Sequence, residues 1–209
     1  MTAAIGIVGL LVCLALLVGL SWLCEEVFER ESFSFDTTVL LSIHQWANPA
    51  LDQIMLTITQ LGNPPWVITV VALSLGWMFW KRRFQQMKVF AIACLGALIL
   101  NQGLKLVFVR PRPLLWKRLI KEVSYSFPSG HALGSLVLYG FLAYLLGLQF
   151  PRWSRLIYGL AVGLIGLIGL SRLYLGVHYP TDVIAGYAIG FLWLMMCIVM
   201  LKLQPDRSA

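Results

Sequence analysis

Apolar residues dominate this chain over six stretches of helix-spanning length, near residues 2–22, 65–80, 89–109, 131–150, 156–175 and 183–201. About 20 such residues, at ~1.5 Å of rise each, cross the hydrocarbon core of a bilayer. The pattern therefore predicts an all-α, polytopic membrane protein with six transmembrane helices, forming a single domain over residues 1–209. The fourth and fifth stretches are separated only by residues 151–155, which predicts a tight helical hairpin.

Residues 36–62 follow a different rule. Leu40, Ile43, Ala47, Leu51, Ile54, Met55 and Ile58 recur at helical spacing, while Asp36, Ser42, Gln45, Asp52, Gln53 and Gln60 fill other positions. This predicts one or two short amphipathic helices in the interface. Asn48-Pro49 breaks them, and the run from Leu61 to Pro65 ends them. Such a segment reads as a cap over the bundle, with a wall or lid for lipid access as the alternative. Glycines 159, 163, 166 and 169 give the fifth stretch a narrow face, which predicts close helix packing.

Composition strengthens the membrane reading. The chain is 59% hydrophobic and 12% charged, with a mean hydropathy of +0.82. Its net charge of +7 does not imply nucleic acid, since the apolar stretches leave no soluble domain to present a basic groove. The excess reads instead as topogenic charge beside anionic lipid. The first 20 residues hold no Lys or Arg, so the N-terminal stretch reads as a retained helix and not a signal peptide. Cys13, Cys24, Cys94 and Cys197 show no metal-type spacing and imply neither a disulfide nor a zinc site.

Six spans sort the loops into two sets. The first carries Lys81, Arg82, Arg83, Lys88, Arg152, Arg155, Lys202 and Arg207; the second carries Arg30, Lys105, Arg110, Arg112, Lys117, Arg118, Lys121 and Arg172. The raw count is tied. Setting aside Lys105, Arg112 and Arg172 as candidates for chemistry leaves eight against five. The segment 23–64 of the second set is also acidic. The first set is thus expected in the cytoplasm, and the second on the outer face.

The candidate chemistry lies in three polar clusters, all at the second-set ends of the helices. The first is Lys105 with Arg112-Pro113. A charge at membrane depth costs about 2.5–3.5 kcal/mol on insertion scales, so Lys105 needs a reason, snorkelling being the simplest. The planar fork of Arg suits bidentate phosphate binding. The second cluster is Pro128-Ser129-Gly130-His131, with Ser129 as a helix cap, Gly130 admitting a ligand close to the backbone, and His131 in the first turn. The third is Ser171-Arg172 followed by His178 and Asp182. The four-residue spacing lets Asp182 contact the ring of His178, fix its tautomer and raise its pKa above the ordinary value of about 6.5. The residues alone leave open which histidine attacks; the carboxylate partner favours His178. His44 is a weak candidate for catalysis.

Taken in order, Lys105-x6-Arg112-Pro113, Pro128-Ser129-Gly130-His131 and Ser171-Arg172-x5-His178-x3-Asp182 resemble the three motifs of the type 2 phosphatidic acid phosphatase (PAP2) family. No motif position departs, and the motifs cover residues 105–182. The layout is most similar to bacterial phosphatidylglycerophosphatase B-type members. The resemblance implies a lipid phosphatase of the bacterial cell membrane with no cofactor or metal, and the charge balance above puts its site on the extracytoplasmic face. Its partners would be membrane lipids and a lipid phosphate substrate: phosphatidylglycerol phosphate, undecaprenyl pyrophosphate or phosphatidic acid. It also implies roles. His178 would form a phosphohistidine, Asp182 would orient it, and His131 would protonate the leaving group and then activate water. Lys105, Arg112, Ser129, Gly130 and Arg172 would hold the phosphoryl oxygens. The alternatives are a lipid phosphotransferase on the same histidine site and a non-enzymatic lipid or ion carrier. The fold kinship with soluble vanadate haloperoxidases carries no weight against six spans.

Overall fold

The computed structural model describes residues 2–29 and 34–203. Among the described residues eight α-helices follow one another: α1 (Thr2–Phe28), α2 (Ser34–His44), α3 (Pro49–Gln60), α4 (Pro64–Trp80), α5 (Phe84–Phe108), α6 (Gly130–Gln149), α7 (Ser154–Tyr174) and α8 (Pro180–Leu203), with a 3-10 turn at Pro151–Trp153. Arg30, Glu31 and Arg207, which enter the charge balance of the sequence, lie outside the described residues.

Five of these helices (α1, α5, α6, α7 with its preceding 3-10 turn, and α8) are long and apolar enough to cross a bilayer, and α3 with α4, meeting at 43°, makes a sixth candidate span. The expected hairpin forms, with the 3-10 turn joining α6 to α7. The amphipathic segment also folds as expected. Asn48 caps α3 by accepting the Leu51 N–H at 3.0 Å, a contact worth about 1 kcal/mol. Pro49 and Pro64 sit in the first turns of α3 and α4, where their missing N–H costs nothing.

The centre of the bundle is α6, packed most extensively on α7 and α8, with α5 against both α6 and α8. Phe90, Phe141, Leu133, Val137 and Leu138 fill this core. Helix α1 leans on α8, and α2 and α3 lie on α7. Close approach is achieved by glycines of α8. A methyl group at Gly186 would meet the Ser129 carbonyl at 2.7 Å, and one at Gly190 the Leu133 carbonyl at 3.1 Å.

The glycine face expected to pack α7 does not do so. Side chains added at Gly159, Gly163 and Gly166 would meet nothing within 4 Å, and only Gly169 abuts a neighbour, the Tyr187 ring. Periodicity marks a narrow face but does not say whether a partner helix stands against it. Here the tight α6–α8 contact takes that role.

Candidate active site

The site is assembled where α5, α6, α7 and α8 end, under the long connection 109–129. Helix α5 stops at Val109, which takes a left-handed conformation (φ 47°, ψ 31°) and turns the chain sharply. Lys105, one turn earlier, is 5% exposed. Its Nζ donates to the Ser124 hydroxyl at 3.2 Å and to the Tyr125 carbonyl. It therefore does not snorkel to the surface; the connection folds back to receive it.

Arg112 is fixed on several sides. Its Nε donates to the Ser124 carbonyl at 2.7 Å, Nη1 to the Val177 carbonyl at 2.7 Å, and Nη2 to the Ser124 hydroxyl at 3.1 Å. Nη1 also lies 3.1 Å from His178 Nε2. Since a guanidinium only donates, Nε2 carries a lone pair and the ring proton resides on Nδ1. That proton faces Asp182 Oδ2 at 3.4 Å. Ser126 donates to the same carboxylate oxygen and lies 3.5 Å from Nδ1. His178 is 1% exposed. Burial lowers its pKa, the hydrogen bond and charge of Asp182 raise it, and Arg112 and Arg172 lower it again; the balance is about 4. The expected rise above the ordinary histidine value is thus overturned, because desolvation outweighs the carboxylate. The imidazole is neutral at physiological pH. Burial likewise pushes the Arg112 guanidinium down to about 10, which leaves it charged there.

The turn that presents His178 follows from local rules. Gly176, at φ 65°, terminates α7, and the Val177 N–H returns to the Arg172 carbonyl at 3.2 Å. Pro180 opens α8, and Asp182 in the first turn accepts the Tyr179 N–H at 2.8 Å. Asp182 is therefore both a cap of α8 and the partner of His178.

Ser129 caps α6 as expected, accepting the Ala132 N–H at 3.4 Å, and its own N–H donates to the Asp182 carbonyl at 3.0 Å. Gly130 has a packing reason that the sequence did not reveal: a side chain there would meet Asn101 Oδ1 at 2.9 Å. His131 Nε2 lies 2.8 Å from Asn63 Oδ1, on the turn between α3 and α4. A side chain at Gly62 would collide with the same ring, so this turn packs directly on His131.

Arg172 is fully buried, donating to Thr59 Oγ1 at 2.6 Å and to Glu122. Its Nε is buried without a protein partner, an uncommon state for a donor and one suited to an anion. Glu122 also faces Arg112 at 3.6 Å. Burial pushes the Glu122 carboxyl upward, but Arg172, then Arg112 and His178, outweigh it and hold it below the usual carboxylate range. Thus Lys105, Arg112, Arg172, His178 and Asp182 share one polar network, and His131 lies within electrostatic reach of its cations. Ser171 turns to the Ile168 carbonyl instead, and His44 stacks on Trp116 at 4.0 Å. Sequence reasoning missed Asp36, Thr59, Asn63, Asn101, Arg110, Glu122, Ser124 and Ser126. Only Asp36, an acid opening an amphipathic helix, left a signal.

This arrangement suits phosphoryl transfer: an unprotonated ring nitrogen beside a guanidinium, further cations around it, and a second histidine. Among the described residues no group of three His, Cys, Asp or Glu side chains is placed to hold a metal ion.

Known proteins match this chain at the level of sequence and fold. The profile of the PAP2 superfamily matches residues 86–205. Phosphatidylglycerophosphatase B of Bacillus subtilis is 33% identical over 147 residues, covering 69% of this chain and 72% of that protein. The undecaprenyl-diphosphatase BcrC of the same organism is 30% identical over 155 residues, covering 70% and 75%. The crystal structure of the transmembrane PAP2-type phosphatidylglycerolphosphate phosphatase from Bacillus subtilis superposes with a TM-score of 0.84 at 27% identity, covering 93% of this chain and 98% of that one.

Proposed function

The chain belongs to the PAP2 superfamily, and from that premise we propose that it hydrolyses phosphatidylglycerol phosphate, undecaprenyl pyrophosphate or both through a phosphohistidine. The observation that carries the mechanism is the pair of contacts on His178: Nε2 beside Arg112 at 3.1 Å and Nδ1 toward Asp182 at 3.4 Å. The lone pair of Nε2 attacks phosphorus, with the phosphoryl oxygens held by Lys105, Arg112, Arg172 and the Ser129-Gly130 helix start. The bond from phosphorus to the lipid oxygen breaks, and that oxygen takes a proton from His131. Asp182 stabilises the positive ring of the phosphohistidine. Water then attacks, giving its proton to His131; the P–N bond breaks and inorganic phosphate leaves. Lys and Arg supply the charge that a metal supplies in other phosphatases, so turnover needs none.

Asn63 Oδ1 accepts the Nε2 proton of His131, which leaves Nδ1 as the nitrogen that gives and takes the reacting proton. The mechanism thus uses opposite nitrogens of the two rings.

The motif end of the bundle faces the outside of a bacterial plasma membrane in this reading, supported by the eight-to-five basic balance. Single cysteines at Lys117 and Arg152, in a background lacking the native four, test it in intact cells. An impermeant thiol reagent should label residue 117; labelling at 152 alone reverses the orientation. The activity is tested by phosphate release from a panel of lipid phosphates by the purified protein. Release from neither phosphatidylglycerol phosphate nor undecaprenyl pyrophosphate overturns the substrate assignment.

A further inference from the structure

Asp182 presents one oxygen to His178 and the other away from it. The outward oxygen, Oδ1, lies 2.5 Å from Arg110 Nη1. Arg110 belongs to none of the three motifs. It follows Val109, whose left-handed turn directs the chain from the end of α5 toward the start of α8. There Arg110 is gripped on three sides. Nη1 also donates to Thr181 Oγ1 at 2.8 Å, Nη2 pairs with Asp36 Oδ2 at 2.9 Å, and the guanidinium lies over the Tyr179 ring at 4.3 Å.

Asp36 comes from α2, far away in sequence. It is 1% exposed. Besides Arg110 it accepts the Thr181 N–H at 3.0 Å and the Thr181 hydroxyl at 2.6 Å. The first turn of α8 is therefore capped by two carboxylates, Asp182 from within and Asp36 from α2. Both suit the positive end of the helix dipole. The single guanidinium of Arg110 joins them, and all three side chains are withdrawn from water, at 11%, 2% and 0% exposure for Arg110, Asp36 and Asp182.

We propose that Arg110 and Asp36 are positioning residues for phosphoryl transfer: Arg110 clamps Oδ1 of Asp182 so that Oδ2 faces Nδ1 of His178, and Asp36 anchors Arg110 to α2. The proposal rests on the reading of His178 as nucleophile. Oδ2 already accepts from the Ser126 hydroxyl and the Tyr179 N–H; the Arg110 contact on Oδ1 adds a second point that resists rotation about the terminal bond, so Oδ2 keeps its aim while the ring gains and loses positive charge. Three linked charges, negative, positive and negative, also set the field at His178. Removing either end member or the middle one changes that field in opposite directions.

This gives a test that a merely structural role would not pass. The charged or titratable groups facing His178 are Asp182 from α8, Arg112 and Glu122 from the connection, Arg172 from α7 and His131 from α6, with the Ser126 hydroxyl beside Nδ1. All of them remain in the variants, so differences report the Asp36–Arg110 pair. The full-length protein in detergent is assayed for phosphate release from phosphatidylglycerol phosphate between pH 3.5 and 8, chosen to bracket the His178 pKa near 4. Asp36→Asn removes a negative charge and should move the acidic limb of kcat/KM down by about half a pH unit. Arg110→Gln leaves two carboxylates uncompensated and should move it up by about as much. Both should lower kcat, Arg110→Gln by about a hundredfold and Asp36→Asn by about tenfold, with KM nearly unchanged.

Asp36→Glu and Arg110→Lys keep the charges but displace the contacts. They should hold the parent limb and lose at least about fivefold in kcat. Limbs that stay put in both neutral variants, or move together, overturn the proposal. Should the neutral variants fail to fold, the charge-conserving pair decides: unchanged kcat overturns it. His178→Ala, assayed in the same way and also probed for trapped phosphoenzyme, separates the two claims. If it retains a phosphoenzyme, the nucleophile assignment fails whatever the limbs do; if it is inactive while the limbs stay put, only the positioning role fails.

Discussion

Behind His178 stand a carboxylate and a hydroxyl, with a guanidinium beside its Nε2; behind His131 stands one neutral amide, Asn63, on the turn between α3 and α4. The two surroundings match the different duties proposed for the two rings. A ring that becomes a cation on forming a P–N bond needs a fixed negative neighbour. A ring that passes a proton to the substrate needs a partner that orients it without competing for that proton. The ionic wall comes from the motif residues and the connection 109–129. The neutral wall comes from the segment read from sequence as a cap.

Exchanging the duties is the strongest way to break this comparison. His178→Ala should reduce phosphate release by about 10⁴-fold or more and abolish any acid-labile, base-stable phosphoenzyme. His131→Ala should fall by about 10²- to 10³-fold and keep a slow first step with a substrate bearing a good leaving group. Label trapped on His131 and absent from His178 would exchange the roles. Next in size, Asp182→Asn should cost about a hundredfold in rate. It removes both influences that raise the His178 pKa, so the acidic limb, set near pH 4 in the parent, should move lower. An unchanged limb in a pH–rate profile would show that the carboxylate does not act on the ring.

Smaller effects sharpen the contrast. Asn63→Ala should slow turnover by about tenfold and let phosphoenzyme accumulate in rapid-quench samples, because water attack relies on an oriented His131; the acidic limb should not move. Glu122→Gln should tighten product inhibition by inorganic phosphate by about three- to tenfold, because a carboxylate then no longer competes for Arg172 and Arg112. Excess chelator should change nothing, and activity lost to chelation and restored by Mg²⁺ would contradict a site charged by Lys and Arg alone.

Much of this was legible in the chain because the signals are local. Apolar length marked the spans, Asn48-Pro49 marked the break between α2 and α3, and residues 151–155 marked the hairpin between α6 and α7. The motif residues were legible as types suited to phosphate. What supports them was not, since Asp36, Asn63 and Thr59 sit far from Asp182, His131 and Arg172 in sequence and meet them only across packed helices. Two physical inferences also failed for want of three dimensions. The His178 pKa turned on burial, which sequence spacing does not report. The glycines of α7 were sorted correctly onto one face, but the helix standing close to a glycine face was α6 against α8.

The tie between Asp36 and Thr181 has a consequence in the order of synthesis. Residue 36 leaves the ribosome long before residue 181, and Arg110 falls between them. Until α8 is made, the acid of α2 has no helix start to cap, and neither carboxylate partner of Arg110 can be joined to the other through it. The last described helix to be translated thus closes a polar circuit begun near the first. A chain halted before α8 carries the motif cations and His178 but lacks Asp182, so the ring has no carboxylate behind it and the charge on α2 stays unsealed. The start of α8 is thus the piece that joins Asp36, Arg110 and His178 into one arrangement.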